Sequence, residues 1–148
     1  MNKTEELDRK ILDLLQEDSR RSYRDIAKEL DVSHVNVSHR VKAMEQHGII
    51  RGYTTVISPE AMNLYPLCLR ISAESGTDLA EVGRKVADYS DIKVVLRVSG
   101  DCELLALAMC RNRHDAVTLL DQISAVPGIE KAESHVVLET MKLSGKRL

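Results

Sequence analysis

The sequence predicts an α+β chain: an N-terminal winged helix-turn-helix domain followed by a C-terminal ferredoxin-like βαββαβ domain. Three observations carry that expectation. Apolar residues in the first 48 positions recur at helical spacing in three short runs separated by polar breaks. From Leu67 onward a strand-helix-strand unit repeats at an offset of 37 residues. The charge is also uneven: residues 1–18 sum to −3, residues 19–51 to +3 and residues 52–148 to −2, within a chain total of −2.

The first helix is expected to be capped by Thr4 and to bury Leu7, Ile11, Leu14 and Leu15. Ser19-Arg20-Arg21 ends it. Ser22, with Asp25 three places on, resembles a capping box and opens a second helix, Tyr23–Leu30, that turns Ile26, Ala27 and Leu30 inward. Asp31 falls where a chain leaving a helix turns left-handed, a conformation Asp tolerates better than most residues. Ser33 is a good N-cap for a third helix, so the two helices and their short turn form a helix-turn-helix pattern.

At about 100° per residue, the third helix gathers Val37, Val41 and Met44 on one stripe and ends at Gly48. Opposite lie Val35, Asn36, His39, Lys42, Ala43 and Gln46, with Ser38 and Arg40 flanking the stripe. No acidic residue interrupts this polar side before Glu45. A polar helix face is most often only solvated. Here, however, it is locally basic and follows a two-helix lead-in, which favours DNA. Asn pairs with adenine edges, Arg with guanine edges, and a Val methyl meets the thymine methyl. Asn36, His39 and Arg40 are therefore expected to read bases and Val35 to supply apolar contact. Lys42, Arg20 and Arg21 are expected to hold phosphates, with Ser33 at the helix start completing the set. The β-prone run Ile49–Ile57 is expected to form the wing and the exit strand.

Ser58-Pro59-Glu60 and Asn63–Pro66 mark a linker. The expected division is 1–52 for DNA binding, 53–64 for the linker and 65–148 for the ferredoxin-like domain. In the repeat, Leu67–Ala73 matches Leu104–Cys110, Asp78–Tyr89 matches Asp115–Val126, and Ile92 falls on Ile129. The strands following each helix are expected at Val94–Ser99 and Ser134–Thr140. The first and third strands should be central, and they are apolar on both faces. Helices can cover only one face; the other needs a second subunit. A dimer also suits paired helix-turn-helix units, which read two half-sites about one helical turn apart.

Composition bounds the rest. With 43% hydrophobic and 30% charged residues over 148 positions, and no Phe or Trp, the core must be aliphatic. No apolar run spans a membrane, and the start MNKTEELDRK reads as helix, not as a signal peptide. Three cysteines without a CxxC fit a reducing, cytoplasmic setting. His34 and His39 stand about 140° apart on the helix, poor geometry for a metal, and no cofactor is expected.

Taken in order, LDRKILDLLQEDSR, YRDIAKELDVS, RVKAMEQHGIIRGYTTVISPE, VLRVSGDCELL and VPGIEKAESHVVLETMK resemble the Lrp/AsnC (feast/famine) family of transcription regulators over nearly the whole length. The resemblance implies double-stranded DNA as partner. It also implies an effector-sensing second domain, usually for an amino acid, and homodimers that assemble further, commonly to octamers. It places the effector at Gly100, Asp101, Cys102 and Glu103 and at His135, Val136 and Val137. Cys102 stands where the family often has an aromatic, and Glu103 where it often has Asp. Glycine and loop amides suit a carboxylate, and Glu103 suits an ammonium.

Two rivals share these residues. A siroheme decarboxylase-like enzyme on the same architecture needs tetrapyrrole-facing His or Arg; His114 and His135 are the candidate His in the second domain, and no nucleophile–base constellation accompanies them. A thiol-based redox sensor needs an accessible Cys102, with Cys68 and Cys110 as buried small hydrophobes.

Overall fold

The computed structural model describes residues 3–143 and 146–147. Its order is α1 (Lys3–Glu17), α2 (Tyr23–Glu29), α3 (His34–Gln46), β1 (Tyr65–Ala73), α4 (Leu79–Ala87), β2 (Ile92–Arg97), β3 (Leu104–Cys110), α5 (Arg113–Ser124), β4 (Ile129–Val136), β5 (Lys142–Leu143) and β6 (Lys146–Arg147). Packing divides the chain into two units: Ile57–Glu139, and the residues up to Val56 together with those from Thr140 on.

In the first unit three helices enclose Ile11, Leu14, Leu15, Ile26, Ala27, Val37, Val41 and Met44. Every one of these positions lies on the stripe that the helical periodicity selects. Helix α1 already runs at Lys3, so Thr4 lies inside it and is not its N-cap. Glu5 and Glu6 in its first turn favour that early start, because carboxylates suit the positive end of a helix. Ser22 caps α2 by accepting the Asp25 N–H at 3.1 Å, and its hydroxyl donates to the Asp25 carboxylate at 2.6 Å. The box therefore closes on the hydroxyl, since the shorter Asp side chain takes the place of Glu. Leu30 ends α2, Asp31 takes φ 52°, and Ser33 caps α3 by accepting the Asn36 N–H at 3.2 Å. After α3, Gly48 at φ 69° lets Ile49 and Ile50 both donate to the Met44 carbonyl.

The expected wing is not formed by this chain alone. Residues 51–58 carry no strand, and no ladder partner meets them among the described residues. Their β-prone composition is real, but a strand exists only when paired. Ser58 then accepts the Ala61 N–H, Leu64 donates to the Pro59 carbonyl, and the turn ends at Asn63 (φ 51°).

The second unit is a four-stranded sheet ordered β2-β3-β1-β4, antiparallel throughout, with β3 and β1 central as expected. Leu67, Leu69 and Ile71 of β1 and Leu104, Ala106, Ala108 and Cys110 of β3 face Val82 and Val86 of α4 and Ala116, Leu119 and Ile123 of α5. Strand register sends the alternate residues to the other side: Leu105, Leu107 and Met109 of β3, Val94 and Leu96 of β2, Cys68 and Arg70 of β1, and Glu133 and His135 of β4. Val94 and Leu96 stay 37% and 47% exposed in the single chain.

Three expectations shift. Strands β2 and β4 begin at Ile92 and Ile129, which are buried as first strand residues and do not precede their strands. Strand β4 therefore ends at Val136, short of the expected Thr140, and Val137 makes a last bond to the Pro66 carbonyl. Beyond that bond the residues from Thr140 on group with the first unit instead of the second. Helix α5 starts a turn earlier than its counterpart: Asp78 caps α4, whereas Asn112 caps α5 and accepts the Asp115 N–H at 2.9 Å. Gly128, at φ 91°, turns the chain into β4 where an added Cβ would lie 2.6 Å from the Thr77 methyl.

Leu69 is fully buried between Ala106 and Ser134. Leu69→Ala is expected to cost about 2–5 kcal/mol, read as a lower urea midpoint with an unchanged slope.

Candidate nucleic-acid interface and effector loop

The outward side of α3 is set by its inward side. With Val37, Val41 and Met44 fixed in the core, Asn36, His39, Lys42 and Gln46 are exposed and Ala43 is half-buried, as the wheel requires; Val35 is 53% exposed. Lys42 forms no ion pair among the described residues, and neither do the exposed Arg24 and Lys28 of α2. The four-residue spacing of these last two places them on one face of α2.

Two of the expected DNA contacts are committed elsewhere. Arg40 donates from Nη1 to the Asp8 carboxylate of α1 at 2.7 Å and from Nε to Asn36 Oδ1 at 3.2 Å. It flanks the buried stripe, so its stem crosses the α1–α3 seam, where a charge needs a partner. It is not presented as a free base reader. By holding the Asn36 oxygen it leaves the Asn36 amide NH₂ to face outward. Arg21 donates from Nη2 to Glu29 at 2.7 Å, spanning α2 end to end, and its Nη1 is buried without a partner among the described residues. Arg20 remains 90% exposed beside Asp18 and keeps the reach for phosphate that Arg21 lacks.

One bond fastens the departing chain to α3. The Tyr53 hydroxyl donates to Glu45 at 2.9 Å. Burial, followed by that carboxylate partner, pushes the Tyr53 phenol up to about 12 from its ordinary 10.0.

In the second unit the loop between β2 and β3 is bonded at both ends. Val98 donates to the Glu103 carbonyl at 3.0 Å, and the Glu103 N–H donates to the Ile71 carbonyl at 3.2 Å. The Glu103 carboxylate accepts the Ala73 N–H at 3.0 Å, beside the β-bulge in β1. Gly100 takes φ 129°, which presents Asp101 to the Arg70 guanidinium; that bond holds the Asp101 carboxyl below its ordinary value. Glu133 lies opposite Arg70 and is held low chiefly by Lys131, at 2.7 Å. His135 sits one step further along the same face, opposite Cys68.

The expected effector residues are thus only partly assembled. Gly100, Asp101 and Glu103 surround one end of the open face and His135 lies on that face. Val136 falls on the other side of the strand by register, and Val137 is bonded to Pro66. Cys102 is buried at 7% exposure with its sulfur against Arg70, so the accessible thiol expected of a redox sensor is absent there. The half-buried thiol is Cys68 instead, and Cys110 lies in the core with burial raising its pKa. His114, near the start of α5, is exposed. Arg70 was overlooked, yet it carried a signal: it is the one charge on either central strand.

Residues 5–45 match the AsnC-type helix-turn-helix domain and residues 67–146 match the Lrp/AsnC ligand binding domain. An HTH-type transcriptional regulator of Pyrococcus furiosus is 37% identical over 93% of this chain and 93% of its own. The HTH-type transcriptional regulator LrpA of Pyrococcus horikoshii is 31% identical over 93% of this chain and 99% of its own. Among solved structures, E. coli AsnC superimposes with a TM-score of 0.75 and 26% identity, covering 93% of this chain and 94% of that one. A Neisseria meningitidis transcriptional regulator in complex with L-Met does so with a TM-score of 0.79 and 27% identity, covering 97% of this chain and 93% of that one.

A raised phenol pKa means the fold favours the protonated form. The contribution of Tyr53 to stability is therefore complete below pH 10 and lost as pH rises through about 12. In an ultraviolet titration of the four tyrosines, one late step near pH 12 is expected, and Tyr53→Phe should delete it.

Proposed function

We propose, from the premise that the chain belongs to the Lrp/AsnC family of transcriptional regulators, that α3 enters the major groove and that a small effector acting on the second domain controls how the protein assembles on DNA. The chain is a regulator with a helix-turn-helix domain and a Lrp/AsnC ligand-binding domain; its family and relatives are regulators, not enzymes. The observation that carries the finer reading is the outward side of α3, which offers an amide, an imidazole, an ammonium and an isopropyl group.

In this reading Asn36, His39 and Val35 meet base edges. Lys42, Arg20 and the Ser33 hydroxyl hold phosphates, joined by Arg24 and Lys28. Arg40 and Arg21 serve as positioning residues, aiming α3 and bracing α2. The pairing of two copies is supported by the open face of the sheet, where Leu105, Leu107, Met109, Val94 and Leu96 form an aliphatic surface that none of the described helices covers. The unpaired run 51–58 is a second element that a partner strand would complete. Further assembly, up to an octamer, follows the family resemblance, and an amino-acid effector is supported by the L-Met complex of the Neisseria regulator. An effector that favours one assembly state shifts the equilibrium and with it DNA affinity or spacing. Among the described residues no helix is long and apolar enough to cross a membrane, in keeping with work on DNA in the cytoplasm.

Selection of genomic fragments by purified protein, with and without pooled amino acids, tests the reading directly. Asn36→Ala and His39→Ala are expected to change which sequences are enriched, at about 1–3 kcal/mol per lost base contact, whereas Lys42→Gln should weaken all sites and lower the salt slope by about one. A change confined to unfolding temperature would remove α3 from the groove. Leu107→Arg places a charge in the centre of the aliphatic face and should leave a folded protomer that light scattering reports as monomeric.

A further inference from the structure

Arg70 is the only charged residue on β1 or β3, the two strands at the centre of the sheet. It projects from the open face between Leu105 on one side and Glu133 on the other. Among the described residues its carboxylate bond runs from Nη2 to Asp101 Oδ2, in the loop that precedes β3. The Asp101 side chain is 86% exposed and that of Arg70 only 30%, so the anion stands in water while the cation is seated on the sheet. Glu133, directly across the β1–β4 ladder from Arg70, is already bonded to Lys131. A guanidinium presents five N–H donors in a fixed fork and binds carboxylates best two at a time. A single Asp101 oxygen and the Cys102 sulfur together leave most of that capacity unused.

Glu103 lies on the same face, diagonal to Arg70 across the β1–β3 ladder, since Arg70 pairs with Leu105. One of its carboxylate oxygens is fixed by the Ala73 N–H. The face therefore sets a forked cation and a half-used anion a short diagonal apart, with a displaceable acid covering the cation. This is the charge layout of a receptor for a free α-amino acid.

We infer that Arg70 is the residue that receives the carboxylate of the effector and that Asp101 is its resident stand-in, displaced when the effector arrives. The inference rests on the effector reading above and adds a residue to that site. Glu103 takes the ammonium group. Asp101 competes with the ligand; it does not bind it. The occupied loop therefore differs from the empty one in the position of Asp101, and ligand binding is reported to the rest of the sheet through that change. The competition is weak, because an exposed ion pair stabilises little, and the empty site stays closed only loosely.

The two partners consequently have opposite signatures. Binding of each standard L-amino acid to the full chain is measured by calorimetry, and the tightest is repeated as its α-amide, which lacks the carboxylate. Asp101→Asn is expected to tighten the amino acid about two- to five-fold by removing the competitor. Arg70→Gln should weaken it by at least about ten-fold, and Arg70→Lys should recover only part, because a point charge replaces a fork. The amide should bind weakly to all variants and be indifferent to Asp101→Asn. Circular dichroism and light scattering confirm that each variant keeps its fold and assembly state; if Arg70→Gln loses either, the Asp101→Asn and amide comparisons decide. An amino acid that binds equally well to wild type and Arg70→Gln overturns the assignment and leaves the effector reading standing. Asp101→Asn weakening the amino acid would show that Asp101 is itself a ligand group and would also overturn it. If no amino acid binds wild type or Asp101→Asn while the wild type still binds DNA, the effector reading fails, and this inference with it.

Discussion

A sheet has two faces, and this chain provides helices for one. That constraint governs the second unit and, through it, the whole protein. Leu69, Ile71, Ala106 and Cys110 are sealed beneath α4 and α5, while Leu105, Leu107 and Met109 lie on the same strands one residue out of phase. Burying aliphatic surface stabilises by about 25 cal/mol per Å², so the open face is a standing drive toward association. The ladder forbids a compromise in which the apolar residues all turn one way, because neighbours along a strand point to opposite sides. An aliphatic sequence on both parities is therefore a statement about assembly as much as about folding.

The charged part of that face has a different logic. Where β1 meets β4 the aliphatic pattern gives way to Arg70, Glu133, Lys131 and His135, and the loop carrying Asp101 reaches over to the same place. One sheet surface thus combines an apolar half with an ionic edge. In the proposed function the first would hold a partner subunit and the second would respond to a small charged molecule. With both on one ladder, the proposed exchange of counter-ions would bear on the proposed contact between subunits without a long internal path.

Much of this was legible in the residues. The stripe Val37–Val41–Met44 fixed which side of α3 is wet, and Ser22, Asp31 and Ser33 each adopt the cap or turn their side chains favour. The repeat located β1, α4, β3 and α5 because burial on a sheet and on a helix have different periods. Strand ends were less legible: Ile92 and Ile129 read as helix-to-strand spacers, and only the register reveals them as strand residues. Long-range charge pairing was least legible. Nothing local in RVKAMEQ says that Arg40 will meet Asp8, 32 positions earlier, and nothing in LCLRISA says that Arg70 will meet Asp101. A wheel gives direction but not reach. A long flexible cation at the rim of a buried stripe goes wherever the fold brings a carboxylate.

The tie between Arg40 and Asp8 has a consequence for how this protein could drift in specificity. Asp8 lies on the helix that packs behind α3, yet it bonds the guanidinium that in turn bonds the Asn36 side chain. A footprint of the contacted bases would never include it. If α3 reads the duplex as proposed, variation at Asp8 would nonetheless retune the preferred operator, and residues hidden from the duplex would hold part of the code by which the duplex is recognised.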